Sequence, residues 1–160
     1  MTLFNSNPKW DNRGAGKTLT LHFDGGSRGN PGPGGIGVVL LYEAGDPLYE
    51  LGEFLGRCTS NVAEYTALIR GLTAAKNLRA SKVIIKADSE LVVRQINGIY
   101  KVKSPHIIPL YQRAVTLMRE IGDVTITHVY REGNARADEL ANMAMDAENK
   151  IEPLGPAKPL

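Results

Sequence analysis

Between Thr18 and Leu78 the spacing of apolar residues changes once, and that change limits the fold more than any other feature of the chain. Leu19, Leu21 and Phe23 alternate with Thr18, Thr20 and His22, the period of two of a strand with one buried face, and the alternation stops at Asp24. After the loop GGSRGNPGPGG, Ile36 to Leu41 and Leu48 to Leu55 read as two further strands joined by a turn at Gly45-Asp46-Pro47, an antiparallel meander. From Ser60 to Leu78 the step lengthens to three and four through Glu64, Leu68, Leu72, Ala75 and Leu78, which draws one stripe along a helix. A strand from Val83 to Ala87 then runs into Asp88. Helical patterns are predicted at about 89–97 and 107–121, a fifth strand at Val124 to Val129, and a last helix capped by Asn134, with Leu140, Ala141, Ala144 and Met145 on one side. Strands and helices mixed in this order predict an α/β chain.

The 160 residues suit one domain. Residues 1–17 have no periodicity and are expected to form a flexible leader, and 18–148 to hold the core. In 149–160, Pro153, Pro156 and Pro159 exclude a helix and predict an extended tail. With 42% hydrophobic and 22% charged residues the composition is that of a globular protein. No apolar run approaches the roughly 20 residues needed to cross a bilayer, and the first residues do not read as a secretory signal, so a cytoplasmic location is expected. Cys58 is the single cysteine, which excludes an intrachain disulfide and a cysteine metal knuckle. A net charge of +2 means that nucleic-acid contact, if any, must come from local patches.

Two strands end in an aspartate followed by a small residue, Asp24-Gly25 and Asp88-Ser89, where open mixed sheets gather their ligand sites. Asp88 also suits a helix cap. Glu64 forms a capping-box pattern with Asn61, yet it heads the apolar stripe through Leu68 and Leu72, which turns it toward the sheet. Asp138, in the first turn of the last helix, either compensates the helix dipole or joins the same set. Four acids from four elements, each at one end, point to a shared edge. Like charges held together stay ionised only with cations between them, and oxygen-only donors select a hard ion, Mg²⁺ or Mn²⁺. Two such ions, about 4 Å apart, can activate water and steady the leaving oxygen in phosphodiester cleavage.

The segments DGGSRGNPGPGGIG, TSNVAEYTAL, ADSELVVRQING and HVYREGNARADELAN resemble, in order and spacing, the signature blocks of the type 1 ribonuclease H family, over about residues 18–146. The resemblance implies a ribonuclease H-like fold, a five-stranded mixed sheet with helices on both faces. It also implies an endonuclease that cuts the RNA strand of an RNA–DNA hybrid, leaving a 5′ phosphate and a 3′ hydroxyl. Carried over by position, the family's acids fall on Asp24, Glu64, Asp88 and Asp138. Asp24 would bridge two Mg²⁺ ions, Asp138 would help hold the ion that activates water, and Glu64 and Asp88 the ion beside the leaving 3′ oxygen; Mn²⁺ is a possible substitute. In the glycine-rich loop Gly25, Ser27, Arg28 and Asn30 are the expected substrate contacts, with Asn30 able to test for the 2′-OH. Thr59, Ser60 and Asn61 stand where the family touches the hybrid's backbones, and a helix N-terminus binds phosphate readily.

The chain departs from the family in two places. The loop from Tyr130 to Asn134 is short and lacks the histidine that many members carry; His128 lies inside a strand pattern and is expected to be structural, leaving Arg131 or Glu132 for that role. The family's lysine-rich protrusion is reduced to GIYKVKSPH, with only Lys101 and Lys103 beside Tyr100. Glu90 either touches the metal site or faces solvent. A monomer acting on hybrid nucleic acid, with no membrane partner, is the expected form. Three other readings remain open: the same scaffold cutting double-stranded RNA or a DNA junction, a non-catalytic hybrid-binding module, and a structural domain whose acids only cap helices.

Overall fold

The computed structural model describes residues 11–155. Its elements run β1 (Thr18–Ser27), β2 (Gly32–Tyr42), β3 (Pro47–Cys58), α1 (Ser60–Asn77), β4 (Lys82–Ala87), α2 (Glu90–Ile96), α3 (Ile108–Ile121), β5 (Asp123–His128), a 3₁₀ turn (Arg131–Asn134), α4 (Ala135–Ala147) and β6 (Ile151–Leu154). They form one mixed sheet in the order β5-β4-β1-β2-β3-β6. β1 pairs with β4, and β4 with β5, in parallel; the other neighbours are antiparallel. The expected meander, helix order and mixed sheet are all present, and among the described residues no helix is long and apolar enough to cross a membrane.

The sheet has six strands where five were expected, because the proline-bearing tail pairs with β3 through Glu50↔Leu154 and Gly52↔Ile151. Proline lacks an N–H and is excluded from central strands, but an edge strand can turn that position away from the ladder, so Pro153 does not prevent pairing here. The N-terminal side also differs from a flexible leader over the part described. Gly14 is buried against Leu78 and Leu19, and Ser81 N–H donates to the Lys17 carbonyl at 3.0 Å. Residues 1–10 of the expected leader, and 156–160 of the expected tail with Pro156 and Pro159, lie outside the described residues.

Alternation sorts the two faces of β2. Ile36, Val38 and Leu40 join Leu19, Leu21 and Phe23 of β1 in the main core, where they meet Leu68 and Leu72 of α1 and Leu117 of α3. Gly35, Gly37 and Val39 take the opposite side, where α4 lies with Ala137 and Leu140. A Cβ at Gly37 would run into the Ala137 carbonyl, so the missing side chain lets α4 lie directly on the sheet. Leu140 is fully buried in that seam, and truncating such a leucine to alanine costs about 2–5 kcal/mol. Helices thus cover both faces and fix where the starts of α1 and α4 stand relative to the end of β1.

Candidate active site

All four carboxylates singled out in the sequence line one cleft of about 550 Å³ at the carboxyl ends of β1 and β4. Asp24 lies on β1 opposite Gly37 of β2. The next residue, Gly25, is buried against the backbone of Ala63 and Glu64, where a Cβ would collide, so β1 and α1 approach closely enough to bring Asp24 and Glu64 to one site. Gly25, expected to contact substrate, thus lines the cleft and also lets strand and helix pack closely.

The capping alternatives do not hold for two of the acids. Thr59 caps α1, accepting from Val62 N–H at 3.3 Å, which leaves Glu64 beyond the first turn and outside any box with Asn61. Ser89, not Asp88, caps α2 by accepting from Val92 N–H at 3.3 Å. The same Ser89 hydroxyl donates to Glu64 Oε2 at 2.8 Å, tying two elements of the cleft together. Asp138 does lie in the first turn of α4, and its Oδ1 accepts from Asn142 Nδ2 at 3.4 Å with Arg131 Nη2 at 3.9 Å.

The electrostatics are those of an anionic site short of cations. Burial pushes the Asp24 carboxyl up to about 8, helped by the charge of Asp88, a hydrogen bond shared with Asp138 and the charges of Asp138 and Glu64. Glu64 is also raised, first by burial and then by Asp88, against the lowering effect of the Ser89 hydrogen bond. Among the described residues no group of three or more His, Cys, Asp or Glu side chains is placed to hold a metal ion by itself. Magnesium does not require one, since it keeps several waters and takes one or two carboxylates with substrate phosphates completing the set. A cleft whose four carboxylates outnumber its two guanidiniums, and whose charged donors are oxygens, fits a hard divalent ion.

A second groove, about 690 Å³, opens beside the N-terminus of α1 and is lined by Asn30, Thr59, Ser60 and Asn61. Asn30 Oδ1 accepts from Ser60 N–H at 3.2 Å, and the Ser27 and Ser60 hydroxyls meet at 3.1 Å, so the glycine-rich loop is moored to α1. With its oxygen engaged, Asn30 keeps its amide N–H groups for a ligand. Arg28 lies on the acid cleft instead, held at Asp146 Oδ1 (2.7 Å) and Asn142 Oδ1 (3.3 Å) of α4. The groove also contains Arg57, Ser104 and His106, which the sequence reading missed; a basic residue two places before the capping threonine was the available signal.

His128 is not the structural residue expected. It is exposed, lines the acid cleft and meets Tyr130 edge to face at 5.9 Å. Its strand alternation is genuine, but β5 carries its last buried residue at Ile126, and His128 sits beyond the covered part of the sheet. Arg131 lines the cleft as well, whereas the exposed Glu132 is not among its walls. Glu90 faces solvent and pairs with Arg94 at 2.8 Å. Asn134 stands at the start of α4 as expected, but its side chain makes no cap bond.

The chain resembles known proteins over most of its length. A family model described as reverse transcriptase-like matches residues 22–144. A bifunctional protein of Mycobacterium tuberculosis is 45% identical over 130 residues, 81% of this chain and 36% of that protein. This chain thus spans about a third of the length of that relative. Ribonuclease HI of Halobacterium salinarum is 42% identical over 131 residues, 82% of this chain and 66% of that protein. Among solved structures, LC11-RNase H1 in complex with an RNA/DNA hybrid superposes with a TM-score of 0.78 at 43% identity, covering 81% of this chain and 98% of that one.

Proposed function

This chain belongs to the type 1 ribonuclease H family, and on that footing we propose that it hydrolyses the RNA strand of RNA–DNA hybrids at the four-acid cleft. The observation that carries the proposal is the meeting of Asp24, Glu64, Asp88 and Asp138 in one cleft, next to a groove containing Asn30 and Thr59. When bound, two divalent ions, Mg²⁺ or Mn²⁺, supply an activated water and charge neutralisation at the leaving oxygen. Asp24, flanked by the other acids, would help hold both ions; Asp138 would help hold the one that activates water, and Glu64 with Asp88 the one beside the leaving oxygen. Ser89 holds one oxygen of Glu64 and leaves the other free for an ion. Asn30 presents its amide toward the RNA strand, where a 2′-OH can accept, and Thr59, Ser60 and Asn61 bind backbone at the helix N-terminus. The products are a 5′ phosphate and a 3′ hydroxyl.

The test uses end-labelled RNA–DNA hybrid, double-stranded RNA, duplex DNA and single-stranded RNA of matched sequence, each with and without Mg²⁺. Wild-type protein should cut the RNA of the hybrid only with metal, and Asp24→Asn should not. Folded protein that leaves the hybrid intact in millimolar Mg²⁺ would overturn the proposal. Faster cleavage of double-stranded RNA would move the substrate assignment.

A further inference from the structure

Asn134 is the one buried polar residue among those described, at 0% exposure, and it sits where a cap is wanted without serving as one. Its Nδ2 donates instead to the Phe23 carbonyl at 2.7 Å, across 111 residues of chain. Reversing the amide would set an oxygen against that carbonyl, so the donor must point this way. The other oxygen, Oδ1, is buried with no hydrogen-bond partner, a condition that works against folding. Asn134 is thus a poor choice for stability alone.

Its position explains more. Phe23 immediately precedes Asp24, and Asn134 precedes Asp138 by one helical turn. One strand over, Ala87 immediately precedes Asp88, and its carbonyl accepts from Val129 N–H at 2.8 Å. The segment 129–134 is therefore fastened to the carbonyl immediately before each of the two aspartates, and leads straight into the helix that carries Asp138. Only one of the two fastenings uses a side chain, and that side chain is Asn134.

We propose that Asn134 is a positioning residue: its tether to β1 sets the distance of Asp24 from Asp138, and so sets how tightly the cleft holds divalent cations. The inference rests on the metal-dependent reading of the cleft. Asn134 touches neither substrate nor ion; it acts through the two aspartates it joins. Residues standing behind metal ligands in this way typically change affinity or activity about 10–100-fold when removed.

The experiment compares wild-type protein with Asn134→Leu, which keeps a branched side chain of similar size but drops the tether, and with Asn134→Ala. Arg136→Met serves as a control, because it breaks the contact of α4 with Glu50 on the side away from the cleft. Two readouts separate positioning from folding: the rise in Tm on adding millimolar MgCl₂ without nucleic acid, and the Mg²⁺ concentration for half-maximal cleavage with kcat and KM measured apart. In Asn134→Leu the Mg²⁺ requirement should rise about tenfold or more and kcat fall about tenfold or more, with KM for hybrid within about twofold and the metal-induced rise in Tm diminished. Arg136→Met should lose Tm in metal-free buffer and keep the wild-type Mg²⁺ response. A wild-type Mg²⁺ response in either folded Asn134 variant overturns the inference, and Asn134→Ala carries the same comparison if the leucine variant does not fold. Wild-type protein with no metal-induced rise in Tm and no cleavage overturns the nuclease reading itself.

Discussion

Helix α4 has acidic groups at both flanks, and the two sets are treated in opposite ways. On one flank Arg136 grips Glu50 of β3 through Nε at 3.0 Å and Nη2 at 2.8 Å, and its third contact is to Glu139. Each negative charge there has a guanidinium beside it. On the other flank Asp138, one residue before Glu139, shares a hydrogen bond with Asp24, and its nearby guanidinium, Arg131, stands 3.9 Å away and 81% exposed. Carboxylates that serve packing are neutralised where they stand, whereas those in the cleft are left in excess. A surplus of buried negative charge is destabilising unless something else compensates it, and such unrelieved sites mark function.

The largest effect that sharpens this contrast is on catalysis. Asp24→Asn should lower hybrid cleavage by about a thousandfold or more, measured as kcat/KM in saturating Mg²⁺. Next comes stability. Because Asp24 titrates near 8 in the folded chain and near 3.8 when exposed, the folded state binds the extra proton between those values. The contribution of Asp24 to stability is therefore fully present below about pH 4 and is lost as pH rises through 8. Asp24→Asn should melt several degrees higher than wild type near pH 8 in metal-free buffer, with the gap closing toward pH 4 and on adding Mg²⁺. A constant gap across that range would break the comparison. Ser89→Ala removes the hydrogen bond that lowers Glu64, so Glu64 rises further; the acidic limb of the pH–rate profile should move up in pH, with a loss of about tenfold in kcat near neutrality. On the compensated flank, Glu50→Ala should lower stability by roughly 1 kcal/mol, about 2–4 °C in Tm, with cleavage unchanged. His128→Ala, at the exposed rim, should cost less than about tenfold in turnover; a loss of a hundredfold or more would make it part of the machinery.

Much of this arrangement was legible in the residues. The alternation of Leu19, Leu21 and Phe23 placed Asp24 on the first strand, although the strand runs on to Ser27 rather than ending at Asp24, and the stripe through Leu68 and Leu72 turned Glu64 inward, because burial of one face imposes a period that the chain must display. Contacts across the fold left no such trace. The tether from Asn134 to Phe23 depends on a meeting of distant backbone, and a cap-forming residue looks the same whether or not it caps. His128 followed its strand's period correctly but lay past the end of helical cover, which a one-dimensional pattern cannot mark. The prolines predicted an extended tail without showing that it pairs, because proline's penalty depends on whether a strand is central or at the edge.

That edge has a consequence for how copies of the molecule behave at high concentration. A 12-residue strand such as β3, with one side bare, offers a ladder onto which another chain can add by main-chain pairing. The four-residue β6 occupies part of that ladder and turns a short, proline-interrupted rim outward, a poor template for growth. Deleting Ile151–Leu154 would leave the cleft's walls in place yet expose the longest strand of the sheet, and so favour self-association.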